Sequence, residues 1–232
     1  AFVAEKLESF GLKVHRGLGR TGVVGTLGAG EGGRAIGLRA DMDALPLKEC
    51  NDFPHRSISE GRMHACGHDG HTAMLLGAAK HLAATRNFSG TIHFIFQPAE
   101  ESGGGGREMV QGGLFDKFNC DAVYGLHNWP DLPLGQFGVR PGPLMASSDK
   151  FEIELEGHGC HAAAPHNGVD LVLAASAIVQ GLNTIVSRSV NPIEPAVVSV
   201  TQLHAGDAYN IIPGTAVLRG TARAFSTEVQ DV

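Results

Sequence analysis

Two neighbouring stretches constrain the fold most. Residues 73–84, AMLLGAAKHLAA, are apolar at i, i+3 and i+4 spacing, which predicts a mostly buried helix that Asp69 or Thr72 could cap. Residues 91–96, TIHFIF, are an apolar run too short for such a helix and stopped by Pro98, which predicts a buried strand. Asn87, Ser89 and Gly90 supply the turn between them. Further strands are expected over residues 22–27 and 35–40, as neighbours, and over 121–126; residues 1–11 read as an opening helix with Phe2, Val3, Leu7 and Phe10 on one side. Strands alternating with helices need crossover connections, so the first part of the chain is an α/β domain with a largely parallel sheet covered on both faces.

The text changes character between Trp129 and Ser148, where prolines and glycines cluster. Two domains are expected, 1–146 and 147–232. In the second, KFEIEL (150–155) alternates strictly, 171–186 is helix-like, and 196–203 and 215–225 are strand-like. That β-α-β-β order suggests a small α+β layer, a ferredoxin-like unit being one option, which would need a further helix and strand. Because the chain begins without Met and stops at Val232, the expectation is a fragment cut at both ends.

Composition narrows the function classes. Acidic residues number 24 against 18 basic, a net charge of −6 with no basic run, so there is no electrostatic footprint for nucleic acid. No membrane span is expected from the apolar runs, and residues 1–10 are amphipathic rather than a signal peptide. Four cysteines without a CxxC argue against a disulfide framework or a zinc finger, and a cytoplasmic setting is the default. What stands out is 12 histidines and 32 glycines.

The histidines concentrate in MHACGHDGH, residues 63–71, just before the predicted helix. In an extended segment residues two apart share a side, so Cys66 and His68 can face one point while Gly67 lets the backbone approach. A metal site is one reading, surface histidines around a buried cysteine another, and a Cys66 nucleophile with His68 as its base a third. Glu100 and Glu101 follow the buried strand, in FQPAEESGGGG, where open α/β sheets place ligands. Adjacent side chains leave the backbone in different directions, so one carboxylate can bind a metal while the other reaches a bound water. The four glycines resemble a phosphate loop, but no GK[ST] follows. His127 in YGLHNWP ends another strand, and Asp41 and Asp43 in LRADMDALP end a third. A mixed S, N and O donor set suits one or two divalent transition ions, Zn, Mn, Co or Ni, rather than Ca or Mg. A second cluster, GHGCHAAAPH at 157–166, reads as a substrate-facing loop or a polar structural loop.

RADMDALP, MHACGHDGHTAMLLGAA, QPAEE, GLHNWP, GHGCHAAAPH and NIIP, in this order, resemble the dinuclear metallo-amidohydrolases of the aminoacylase and carboxypeptidase superfamily. The nearest branch is that of hippurate hydrolases, N-acyl-L-amino-acid amidohydrolases and auxin-conjugate hydrolases. The resemblance implies a three-layer zinc-peptidase-like catalytic domain carrying an inserted ferredoxin-like lid, through which relatives dimerise. It implies Cys66, His68, Glu101 and His127 as metal ligands, Glu100 as general base, His161 and Asn210 as substrate contacts, and Asp43 as the aspartate that orients the site. Asp41 stands where other branches carry a ligand histidine, and Cys160 where a glycine is more usual. The family closes its site with a further histidine from a C-terminal segment beyond this chain's end. The implied reaction is hydrolysis of an N-acyl amino acid, whose carboxylate would need a donor such as Asn210, Arg223 or Arg140. A non-catalytic metal- or ligand-binding module is the competing reading from a different class.

Overall fold

The computed structural model describes all 232 residues, in two units, Ala1–Pro133 and Leu134–Val232. The division falls inside the Pro- and Gly-rich stretch in which the sequence placed a boundary at 146/147.

The first unit runs α1 (Phe2–Ser9), β1 (Lys13–Leu18), β2 (Gly22–Ala29), β3 (Ala35–Asp41), α2 (His68–Thr85), β4 (Gly90–Gln97), α3 (Gly105–Gln111), α4 (Leu114–Lys117) and β5 (Ala122–Gly125). The five strands form one sheet in the order β1-β2-β4-β3-β5. β4 is its axis. Ile92, Phe94 and Phe96 face one side, packing with Ala4 and Leu7 of α1 and Leu75 and Ala79 of α2. Ile95 faces the other, with Val24, Met109 of α3 and Leu114 of α4. Each fully buried large side chain of this kind contributes about 1.5–3 kcal/mol, enough for β4 to dictate that both sheet faces be covered.

Three expectations are corrected. The runs 22–27 and 35–40 are not neighbours, because β4 inserts between them. The sheet is mixed, the pairs β1–β2 and β2–β4 being antiparallel and the pairs β4–β3 and β3–β5 parallel. A hairpin-length link joins β1 to β2, whereas the crossover through α2 is what makes β3 and β4 parallel. Finally, α2 starts at His68 with Gly67 as its N-cap, and neither Asp69 nor Thr72 caps it; the Thr72 hydroxyl instead donates to the Asp41 carbonyl at 3.1 Å.

In the second unit β6 (Asp149–Glu156), α5 (Leu171–Thr184), β8 (Ala196–Ala205) and β10 (Thr215–Ala224) keep the expected β-α-β-β order, forming an antiparallel sheet β6-β10-β8. Asp170 caps α5, accepting from the Leu173 N–H at 2.9 Å. The short strands β7 (Cys160–His161) and β9 (Ile211–Ile212) pair separately, and α6 (Thr227–Gln230) ends the chain. The helix continues past α5 as a π turn, and Leu171–Ser189 is by length and composition apolar enough to cross a membrane, with a mean hydropathy of 1.3. That corrects the expectation that no run reaches this length; Gln180, Asn183 and Thr184 disguise it in the sequence. In the fold Leu171 and Ala175 pack on Ala216 and Leu218 of β10, the placement of a sheet-covering helix.

One buried titratable group lies in the first sheet. His93 of β4 is opposite Thr26 of β2, with Nδ1 2.9 Å from the Thr26 hydroxyl, and burial pushes its pKa below the ordinary 6.5. A depressed folded value means that the stability it contributes is full above about pH 6.5 and is lost as pH falls through the folded value. Urea melts at pH 8 and pH 5 should therefore show the parent chain losing more stability on acidification than His93→Gln; parallel losses would exclude His93 as the source.

Candidate metal centre

The parallel strands β3, β4 and β5 deliver the site at their carboxyl ends, with the start of α2 above them. Asp41 ends β3, paired with Gln97 of β4, and the Met42 N–H donates to the Gln97 carbonyl at 3.0 Å. Two residues on, Asp43 leaves the sheet; three and four residues past Gln97, Glu100 and Glu101 do the same; His127 follows β5 by two. The carboxylates and the histidine thus share a rim because the strands that bear them run the same way.

Glu100 and Glu101 diverge as adjacent residues should: Glu100 is exposed and Glu101 half-buried. The turn before them is tight, with Ala99 at φ +50° and the Gly105 N–H donating to the Ala99 carbonyl at 3.0 Å. A Cβ on Gly105 would lie 1.8 Å from the Pro98 carbonyl oxygen, so the glycine run closes this turn against α3 rather than cradling a phosphate.

His68 is fully buried at the first position of α2. Its Nδ1 lies 3.0 Å from the Asp43 carbonyl and 3.2 Å from Asp43 Oδ1, so Nδ1–H is the donor and Nε2 carries the lone pair. The other Asp43 oxygen accepts the Glu101 N–H at 3.1 Å. Asp43 thereby hydrogen-bonds to two of the expected ligands at once, the His68 ring and the Glu101 backbone.

Two buried side-chain atoms have no hydrogen-bond partner, His68 Nε2 and Glu101 Oε1, and they face each other at 3.9 Å. Each orphan costs about 1–3 kcal/mol unless something satisfies it. Both are lone-pair acceptors, so another acceptor cannot; a cation can. Cys66 Sγ completes a group with them in which all three ligand atoms lie within 4.8 Å of one another. His127 joins through its Nε2, 3.4 Å from Cys66 Sγ, while its Nδ1 donates to the Asn128 carbonyl at 2.7 Å. All four expected ligands therefore gather, and the donor set fits a divalent transition ion.

Burial, reinforced by the Glu101 and Glu100 carboxylates, pushes the Cys66 thiol up to about 11. Its close imidazole is that of His127 and not, as the cysteine-nucleophile reading had it, that of His68.

The sequence reading missed His71. It is buried on α2 in one stripe with His68, Leu75 and Ala79, and the i, i+3 spacing from His68 was the available signal. Its Nδ1 meets Asp41 Oδ1 at 2.6 Å and its Nε2 accepts the Asn128 N–H at 2.9 Å. Asp41 also accepts from Arg39 at 2.8 Å. Burial opposes the Asp41 charge, but the His71 hydrogen bond and the Arg39 guanidinium outweigh it and hold the carboxyl below its ordinary value.

His161 and Asn210 lie in the second unit, where β7 and β9 bring them together: His161 pairs with Ile211, and the Ala162 N–H donates to the Asn210 carbonyl at 2.9 Å. Both are exposed.

Several known proteins are similar to this chain. A hippurate hydrolase of Campylobacter jejuni is 49% identical over 228 residues, covering 98% of this chain and 59% of that protein. An N-acyl-L-amino acid amidohydrolase of Geobacillus stearothermophilus is 48% identical, covering 97% of this chain and 60% of that one. The solved YXEP protein of Bacillus subtilis, a dinuclear metal-binding peptidase, superposes with a TM-score of 0.78 at 39% identity, over 99% of this chain and 59% of that one. The chain spans somewhat more than half the length of these relatives. The pattern of peptidase family M20/M25/M40 matches residues 37–220, from inside β3 to inside β10, and the chain belongs to that family.

Proposed function

We propose that this chain holds the metal centre and general base of an enzyme that hydrolyses the amide bond of N-acyl amino acids. The observation that carries the reading is the facing pair of orphaned acceptors, His68 Nε2 and Glu101 Oε1, with Cys66 beside them and His127 next to Cys66. Relatives named for hippurate and N-acyl amino acids support the substrate class.

Cys66, His68, Glu101 and His127 would hold one or two divalent transition ions. Such an ion, when bound, supplies electrophilic polarisation and acidifies water. The remaining chemistry belongs to Glu100, whose carboxylate is free and exposed beside the ligand Glu101. It takes a proton from the attacking water as the new C–O bond forms at the acyl carbon. It then gives that proton to the departing nitrogen as the C–N bond breaks, which leaves a carboxylic acid and an amino acid. His161 and Asn210 are the residues we assign to the substrate, and the second unit is read as a lid and dimerisation layer. A cytoplasmic, reducing setting would keep Cys66 a thiol.

A Cys66 nucleophile is disfavoured on physical grounds. With its thiol pushed up to about 11 beside carboxylates, little thiolate is present at neutral pH.

Release of free amino acid from an N-acetyl amino acid, followed in both the 232-residue chain and the full product of its gene, should require added metal and stop with a chelator. Glu100→Gln should keep its metal while turnover falls by about 10²–10⁴-fold; near-parental turnover would remove Glu100 from its role, and a parent that binds metal without turnover at either chain length would favour a binding module. Alkylation of metal-free Cys66 by iodoacetamide, followed against pH, should rise with an inflection near 11. An inflection near neutrality would instead revive the nucleophile.

A further inference from the structure

We propose that His71 is a positioning residue that holds Asn128, and through it the His127 ring, so that the His127 Nε2 lone pair faces Cys66. The proposal rests on the reading of Cys66, His68, Glu101 and His127 as metal ligands. His71 itself has been given no role by that reading.

The geometry runs through one connected set of hydrogen bonds. Arg39 of β3 donates from Nε to Gln97 of β4 at 3.0 Å and from Nη1 to Asp41 at 2.8 Å. Asp41 accepts the His71 Nδ1–H at 2.6 Å, which leaves His71 Nε2 as an acceptor for the Asn128 N–H at 2.9 Å. The Asn128 side-chain amide lies against the same nitrogen, and the Asn128 carbonyl accepts the His127 Nδ1–H at 2.7 Å. That last bond fixes the His127 tautomer, since an Nδ1–H imidazole has its lone pair on Nε2, the atom 3.4 Å from Cys66 Sγ. The His71 and His127 rings also meet edge to face, 4.5 Å between centroids.

A second observation shows that the Asn128 seat is built. Gly67, at φ +80°, has no side chain where Asn128 lies; a Cβ there would sit 2.5 Å from Asn128 Oδ1. The same glycine that starts α2 thus clears the space for the His127 loop.

His71, His68, His127 and Asp41 have ligand atoms close enough to hold an ion between them. Both His71 nitrogens are nevertheless committed, to Asp41 and to Asn128, whereas the unpartnered atoms are His68 Nε2 and Glu101 Oε1. His71 therefore acts through His127 and is not itself a ligand.

Two amide variants separate the two ring nitrogens. Gln at position 71 keeps an acceptor near the place of Nε2 and so the Asn128 link; Asn reaches only as far as Nδ1 and so keeps Asp41 but drops Asn128. In the metal-free 232-residue chain, long-range ¹⁵N spectra should show His127 as the Nδ1–H tautomer in the parent and in His71→Gln, and shifted toward Nε2–H in His71→Asn. An unchanged His127 tautomer in His71→Asn overturns the proposal. If that variant does not fold, His71→Phe, which keeps a ring of similar size and drops both nitrogens, is read in the same way. Titration with Co²⁺ then tests the consequence: His71→Asn should bind about 10–100-fold more weakly than the parent, and His71→Gln close to it. In a His127→Ala background His71→Asn should add little further loss, because the two residues act as one unit. A further tenfold loss there would make His71 a ligand in its own right and overturn the proposal. A parent chain that binds no Co²⁺ overturns the metal reading, while the tautomer result still decides the role of His71.

Discussion

His68 is buried with one nitrogen tied to Asp43 and the other facing an equally unpartnered oxygen of Glu101. Neither atom can satisfy the other, since both offer lone pairs. Holding these two acceptors face to face takes packing behind the first turn of α2 and the end of β4. β4 and α2 supply that packing: Phe94, Phe96, Leu75 and Ala79 form the core directly below the helix turn that presents His68. The stripe that buries α2 is continuous, apolar toward its C-terminal end and imidazole toward its N-terminal end. The same helical periodicity that builds the core therefore aims the histidines.

The mixed sheet divides labour by strand order. β2 runs against β4, and β1, at the sheet's edge, runs against β2; the expected site residues lie on neither strand, but the two flank β4 and contribute to both apolar layers. β3, β4 and β5 run together, so their carboxyl ends deliver Asp41, Glu101 and His127 to one edge from positions more than eighty residues apart in sequence. Closeness there is a product of topology. No local interaction could bring Cys66 within 3.4 Å of His127.

Much of the candidate site was legible in the sequence, and the fold less so. Cys66, His68, Glu100, Glu101 and His127 stand out because they are metal-binding or acid–base residue types set beside glycines and strand ends, and the fold gathers Cys66, His68, Glu101 and His127. The insertion of β4 between β2 and β3 was not legible, because an apolar run shows that a strand is buried without showing which strands flank it. The helix start was misplaced for a related reason. Asp69 and Thr72 look like caps, yet Gly67 takes that position in a left-handed conformation and Thr72 turns inward to the Asp41 carbonyl. His71 escaped notice because its partners, Asp41 and Asn128, are distant in sequence and only the folded sheet brings them to it.

Charge explains why these parts belong together. Asp41, Asp43, Glu100 and Glu101 stand around one rim, and the cation hydrogen-bonded to any of them is Arg39, already engaged by Asp41. Burial, reinforced by carboxylates of this rim, raises the Cys66 thiol toward 11 and makes it a poor nucleophile; a divalent ion held there would displace that proton and make it a ligand. Asp41 differs from the others in having its charge balanced within the protein, by Arg39 and by the His71 hydrogen bond. That balance leaves Asp41 engaged with Arg39 and His71, whereas Glu101 Oε1 has no such partner and is the carboxylate oxygen that an ion would answer.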